Sequence, residues 1–90
     1  MLYKLYIGSN NKTKKLEEKK AIGIVSKSFK GFTSYKGLGF WEGKGEKSLI
    51  IEIETKKQVS VIKLAKKLAR ELKQDAIGLA RIGKMEFIGI

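Results

Sequence analysis

Two stretches of strict alternation constrain this chain more than anything else in it. In LYKLYI, residues 2–7, Tyr3, Leu5 and Ile7 alternate with Leu2, Lys4 and Tyr6. In SLIIEIE, residues 48–54, Leu49, Ile51 and Ile53 face one way while Ile50, Glu52 and Glu54 face the other. A period of two sends successive side chains to opposite faces, so each stretch is a strand with one face to bury.

Elsewhere the period lengthens. Leu16, Ala21, Ile24, Val25 and Phe29 fall near helical spacing and predict a helix over about 13–29, capped by Asn11 or Thr13 and ended by Gly31. Gly23 lies inside it, at a cost of about 1 kcal/mol relative to Ala. FTSYKGLGFW reads as a strand over about 32–42, and EGKGEK as a charged, Gly-rich turn. Thr55-Lys56-Lys57-Gln58 fits a capping box. The helix it opens carries Val61, Ile62, Ala65, Leu68, Ala69 and Leu72 on one stripe, with Lys63, Lys66, Lys67, Arg70 and Lys73 around the rest. AIGLARI, residues 76–82, is a fourth strand, and KMEFIGI adds an edge strand or an oligomer contact.

The order β-α-β-β-α-β predicts a single α+β domain over 1–90 of the ferredoxin-like arrangement: a four-stranded antiparallel sheet with two helices on one face. The first and third strands would be central. The opposite face would carry Leu2, Lys4, Tyr6, Ile50 and Glu52. Apolar residues there imply a partner: nucleic-acid bases, another subunit, or a ligand at a subunit interface.

Composition narrows the chemistry. There is no Cys, so no disulfide or thiolate site, and no His, the commonest general base and metal ligand near neutral pH. No metal site and no cofactor are expected. No Ser has a His partner, and Glu52 and Glu54, though on one strand face, read as charges offsetting lysines. The expectation is a protein that is not an enzyme. No apolar run approaches the roughly 20 residues that span a bilayer, and the N-terminus lacks a secretory pattern. A cytoplasmic protein without membrane contact is expected. The net charge of +11 implies an anionic partner, although so many lysines over only two arginines also fit a compositional bias on a solvated surface. The charge is spread along the chain. At 90 residues a monomer buries only about 60–65% of its unfolded surface, so a homo-oligomer, dimer or tetramer, is a reasonable expectation.

Several motifs come close to known signatures. LYIGSN and KGLGFW approach the two signatures of RNA-recognition domains. The second, however, precedes another complete strand, and Leu38 stands where an aromatic ring should stack. GLGFWEG lacks the dinucleotide spacing, and GKGEKS is no phosphate-binding P-loop.

Three features converge on a ligand with an anion and a ring. GSNNK puts free backbone N–H groups near a helix N-terminus, where Ser9, Asn10 and Asn11 could hydrogen-bond a base or sugar; turn and cap chemistry is the alternative. Tyr35, Phe40 and Trp41 are spaced by glycines beside Lys36 and Lys44, a pattern that suits a stacked base and its phosphate; one of Phe40 and Trp41 is expected in the core. Arg81, one of two arginines, joins Lys12, Lys36 and Lys44 as a phosphate-neutralising candidate, with Trp41 or Tyr35 stacking. An exposed edge-strand charge is the alternative for Arg81.

YIGSNN, the Lys/Glu-rich segment after it, GFTSYKGLGFWEGKGEKSLIIEIE and LKQDAIGL together resemble small bacteriophage proteins of the nucleotide-sponge, anti-CBASS type. The resemblance covers about residues 3–82. It implies an oligomeric immune-evasion protein in the host cytoplasm that sequesters a cyclic nucleotide, such as a cyclic dinucleotide, without degrading it. Two alternatives stay open: a module binding single-stranded RNA or DNA, and an inhibitor of an acidic host protein.

Overall fold

The structure, a computed structural model, describes residues 1–10 and 12–83, with Trp41 described by its backbone alone. The elements are β1 (Leu2–Ile7), α1 (Glu18–Ser28), β2 (Thr33–Trp41), β3 (Lys44–Glu54), α2 (Gln58–Glu71) and β4 (Gly78–Gly83). They form one antiparallel sheet in the order β2-β3-β1-β4. This is the ferredoxin-like α+β arrangement, with β1 and β3 central. The segment KMEFIGI lies outside the described residues.

Register explains the layering. Tyr3, Leu5 and Ile7 stand opposite Ile53, Ile51 and Leu49. All six are buried beneath both helices, together with Ala21, Ile24 and Val25 of α1 and Val61, Leu64 and Leu68 of α2. The amphipathic stripe of α2 is centred on Leu64 as well as Val61 and Leu68, with Ile62, Ala65 and Ala69 only half-buried at its margins. Each fully buried aliphatic side chain contributes about 1.5–3 kcal/mol relative to exposure.

The helix ends differ from the sequence expectation. α1 begins at Glu18, not near 13, because Asn10 captures the N–H groups a helix would have used. Its Oδ1 accepts from Lys12 N at 2.8 Å and Thr13 N at 3.2 Å. Its carbonyl accepts from Lys14 N at 2.8 Å, and Lys14 sits at φ 61. Short polar side chains compete with helix nucleation in this way. Neither Thr13 nor Gly31 acts as the expected cap: the N-cap is Glu17, whose side chain makes no capping bond, and Phe29 ends the helix by turning extended. The capping box is also not formed. Thr55 Oγ1 accepts from Lys57 N at 3.1 Å, one residue early, and Gln58 Oε1 instead accepts from the Tyr3 hydroxyl at 3.3 Å. α2 closes with Lys73 in the left-handed region (φ 55) and Gln74 N donating to Ala69 O at 2.9 Å, a Schellman-type end. That turn aims the Gln74 amide at Gly8. Gln74 Oε1 accepts from Gly8 N at 3.1 Å, and its Nε2 donates to Gly8 O, so both backbone groups at the end of β1 are satisfied.

The expected EGKGEK turn is only two residues long. Glu42 (φ 51) and Gly43 (φ 78) form a type I′ connection whose twist matches the strands it joins. β3 therefore starts at Lys44, and the β2–β3 hairpin runs past the last β1 partner, Leu49, as a two-stranded arm. The molecule measures 42 × 29 × 19 Å along its principal axes.

Gly23 lies within α1, and a Cβ placed there meets nothing within 4 Å. Gly23→Ala should raise stability by about 1 kcal/mol. In thermal melts of a domain this size that is an increase of roughly 4–8 °C.

Candidate functional site

The β1–α1 loop, the start of α1 and the root of the arm all lie at the end of the sheet where β1 finishes. Between them is a cleft of about 550 Å³ lined by Ser9, Lys14, Lys15, Leu16, Glu18, Lys36 and Lys47. Four ammonium groups meet one carboxylate there. Each lysine has a traceable position. Lys14 and Lys15 are turned outward by the loop that closes on Asn10. Lys36 and Lys47 come from facing strands of the hairpin, whose register sets Lys36 opposite Leu49 and Leu38 opposite Lys47. That places both lysines on the helix-side face of the sheet. Lys36 Nζ lies 3.0 Å from Glu18 Oε2, which ties the arm to α1.

Asn10 holds this loop and is itself 6% exposed. Besides the bonds already described, its backbone N donates to Lys15 O at 2.9 Å and its Nδ2 donates to Glu17 Oε1. Five hydrogen bonds thus occupy it within the chain. Of the two readings the sequence left open for Asn10, its contacts are those of turn chemistry.

The other sequence candidates are dispersed. Ser9 and Lys36 line the cleft. Lys12 is exposed on the loop outside it. Asn11 and the side chain of Trp41 lie outside what the structure describes. Lys44 sits at the arm tip, in a second recess of about 510 Å³ shared with Gly39, Phe40, Gly45 and Glu46. Phe40 is not in the core: it is 69% exposed. Arg81 stands on β4, at the edge of the sheet opposite β2, paired in register with Tyr3. The structure therefore does not bring Arg81 together with Lys36 or Lys44. Sequence reading missed Lys14, Lys15 and Lys47. The signal for Lys47 was available, because a two-residue turn at Glu42-Gly43 fixes the hairpin register that places it near Lys36.

Tyr35 lies on the other, helix-free face. Register aligns Tyr35, Ile50, Tyr6 and Gly78 in a row across four strands. Ile50 is only 7% exposed although it faces away from the helices. Its Cδ1 fills the space a side chain at Gly37 would need, at 2.6 Å from an ideal Cβ. Tyr6 leans over Gly78 in the same way, with its Cβ 3.2 Å from the Cβ position there. The next row holds Glu52 between its partners: the Tyr35 hydroxyl donates to Glu52 Oε2, and Lys4 Nζ lies 3.5 Å from the same oxygen. Glu54 pairs with the N-terminal ammonium at 2.9 Å. Glu52 and Glu54 on this strand face thus each have a cation beside them.

Register places Lys4 and Lys44 on this face against Glu46, Glu52 and Glu54. The helix-free face is therefore close to neutral, whereas four lysines of the helix side meet in the cleft. Among the described residues there is no group of three or more His, Cys, Asp or Glu that could hold a metal ion. None of their helices is long and apolar enough to cross a membrane. No protein-family model matches the chain, and no curated protein is significantly similar to it.

Two measurements test this geometry. Asn10→Asp would set a carboxylate against Glu17 and should cost about 1–3 kcal/mol near neutral pH, with recovery as pH falls and one of the pair, its pKa raised by the other, takes up a proton. A denaturation series against pH reads this directly. Donation to Glu52, and then partial burial, hold the Tyr35 phenol above its ordinary range. That bond stabilises the protonated ring, so its contribution is present below the usual tyrosine pKa of about 10 and is lost as pH rises through the raised value. Phenolate absorbance should show one tyrosine titrating late, and Glu52→Ala should move it earlier.

Proposed function

We propose that the chain is a non-enzymatic binding protein that holds a small anionic nucleotide in the lysine-lined cleft and releases it unchanged. The observation that carries this reading is the convergence of Lys14, Lys15, Lys36 and Lys47 on one cleft of about 550 Å³ with Glu18 as its one carboxylate. That volume falls within the roughly 300–1,000 Å³ of small-molecule sites. The cleft also lies beside α1 at its N-terminal end, where backbone N–H groups favour negative charge. Leu38 and Phe40 continue the same face of the arm outward, 59% and 69% exposed, and offer an apolar surface to a base.

A ligand with two phosphates and at least one ring, as in a cyclic dinucleotide, uses both halves of that surface. The same features suit sequestration of a cyclic-nucleotide immune signal in an infected host cell, the role implied by the resemblance to phage sponge proteins. Binding alone suffices for such a role, and the site needs no general base.

Single-stranded nucleic acid is the second reading, favoured by the half-exposed Tyr6 and Tyr35 on the helix-free face. Three carboxylates against two lysines make that face a poor track for a phosphate backbone, and β3 presents Ile50 and Glu52 there where a base-stacking ring would be needed.

A thermal-shift screen with mononucleotides, cyclic dinucleotides and ADP-ribose derivatives should find a stabilising ligand. At a hundred times Kd it adds about 2.7 kcal/mol. Lys36→Ala and Lys47→Ala should each weaken binding about 10–100-fold, the loss expected for one charge-assisted contact of roughly 1.5–3 kcal/mol. Arg81→Ala should leave Kd unchanged. A flat panel with tight oligonucleotide binding that falls about 10³-fold between 50 and 200 mM salt would favour the second reading.

A further inference from the structure

The two edges of the sheet are built differently. β4 spans six residues, its pairing with β1 shifts at Leu2/Tyr3, it exposes Arg81, and it ends at Gly83 with φ 98. Short length, an irregularity and an outward charge are the devices by which natural proteins keep a sheet edge from pairing. β2 has almost none of them. It pairs with β3 in an unbroken register through all nine residues from Thr33 to Trp41. It carries one charge, Lys36, and no Pro. No strand lies on its far side among the described residues. Leu38 and Phe40 are left 59% and 69% exposed along it.

The outer half of β2 also has little holding it. Beyond the partners of β1 it is one strand of a two-stranded ribbon, and isolated ribbons of that kind are marginal in water. A third strand laid along β2 would correct this while covering Leu38.

We propose that β2 pairs antiparallel with β2 of a second copy, joining two four-stranded sheets into one of eight strands. A second copy is the favoured occupant because an antiparallel strand edge is self-complementary about a two-fold axis. A two-fold through Leu38 sets that residue against its own copy and places Lys36 opposite Phe40 of the partner subunit, a cation beside a ring. No like charges then face each other along the strand.

Sedimentation of the full chain over a concentration series should show a species of twice the 10.1 kDa monomer mass. Leu38→Lys should give monomer where the wild type is dimeric, and its melting temperature should lose the concentration dependence the wild type shows. Ile82→Lys, on the guarded edge and 51% exposed, should leave the dimer intact. In hydrogen exchange, β2 amides should slow as concentration rises through the dimer range. A wild type that stays monomeric to about 1 mM, or a dimer indifferent to Leu38→Lys, overturns the proposal. So does a monomer that takes an extended peptide of another protein onto β2.

Discussion

The pairing of β1 with β3 sets everything else in this molecule. It places Tyr3, Leu5 and Ile7 against Ile53, Ile51 and Leu49, which turns six large side chains toward the helices at once. Because side chains alternate with a period of two, a slip of one residue would put Leu2, Lys4 and Tyr6 into that layer. Burying Lys4 there without a partner would cost several kcal/mol. The register is thus fixed by what each alternative would bury. Once it is fixed, the site follows. The end of β1 determines where the Asn10 loop begins, and the far end of β3 determines how far the arm reaches beyond it.

This explains which parts of the structure were legible in the sequence. The strands, their order and the ferredoxin-like fold came from alternation, and α2 came from its apolar stripe. These are repeating signals in which every residue repeats the same information. The helix ends were not legible, because each depends on a single side chain choosing among nearby N–H groups. Asn10 takes those of Lys12 and Thr13, so the stretch around Leu16 never becomes helix despite its spacing. Gln58 turns to Tyr3, a contact made only after β1 and α2 have docked. The site was half legible for a related reason. Ser9 and Lys36 stood out by local context, whereas Lys14 and Lys15 depend on a left-handed turn at Lys14 and Lys47 depends on the exact length of the hairpin connection.

The sheet separates two kinds of polar chemistry. On the helix-free face, cations and carboxylates are matched, and Glu52 serves both Lys4 and Tyr35. That face is internally satisfied, and its one large aliphatic residue, Ile50, is sheltered by neighbours and by the missing side chain at Gly37. On the helix side the lysines of the cleft outnumber their partner. Mutual repulsion among them costs stability, and any anion that enters relieves it. Such a site trades some folding free energy for affinity, as functional sites commonly do.

The arm has a consequence for how the molecule opens. Its outer half contributes no residue to the buried cluster, so separating those strands leaves that cluster intact. In a free monomer this segment therefore constitutes its own unit of local melting, with an opening free energy well below that of the whole domain. Lys36 and Lys47 sit at the boundary between the two units. Whatever grips those two side chains together also clamps the hinge, so occupancy would be legible in the breathing of a hairpin tip several residues away.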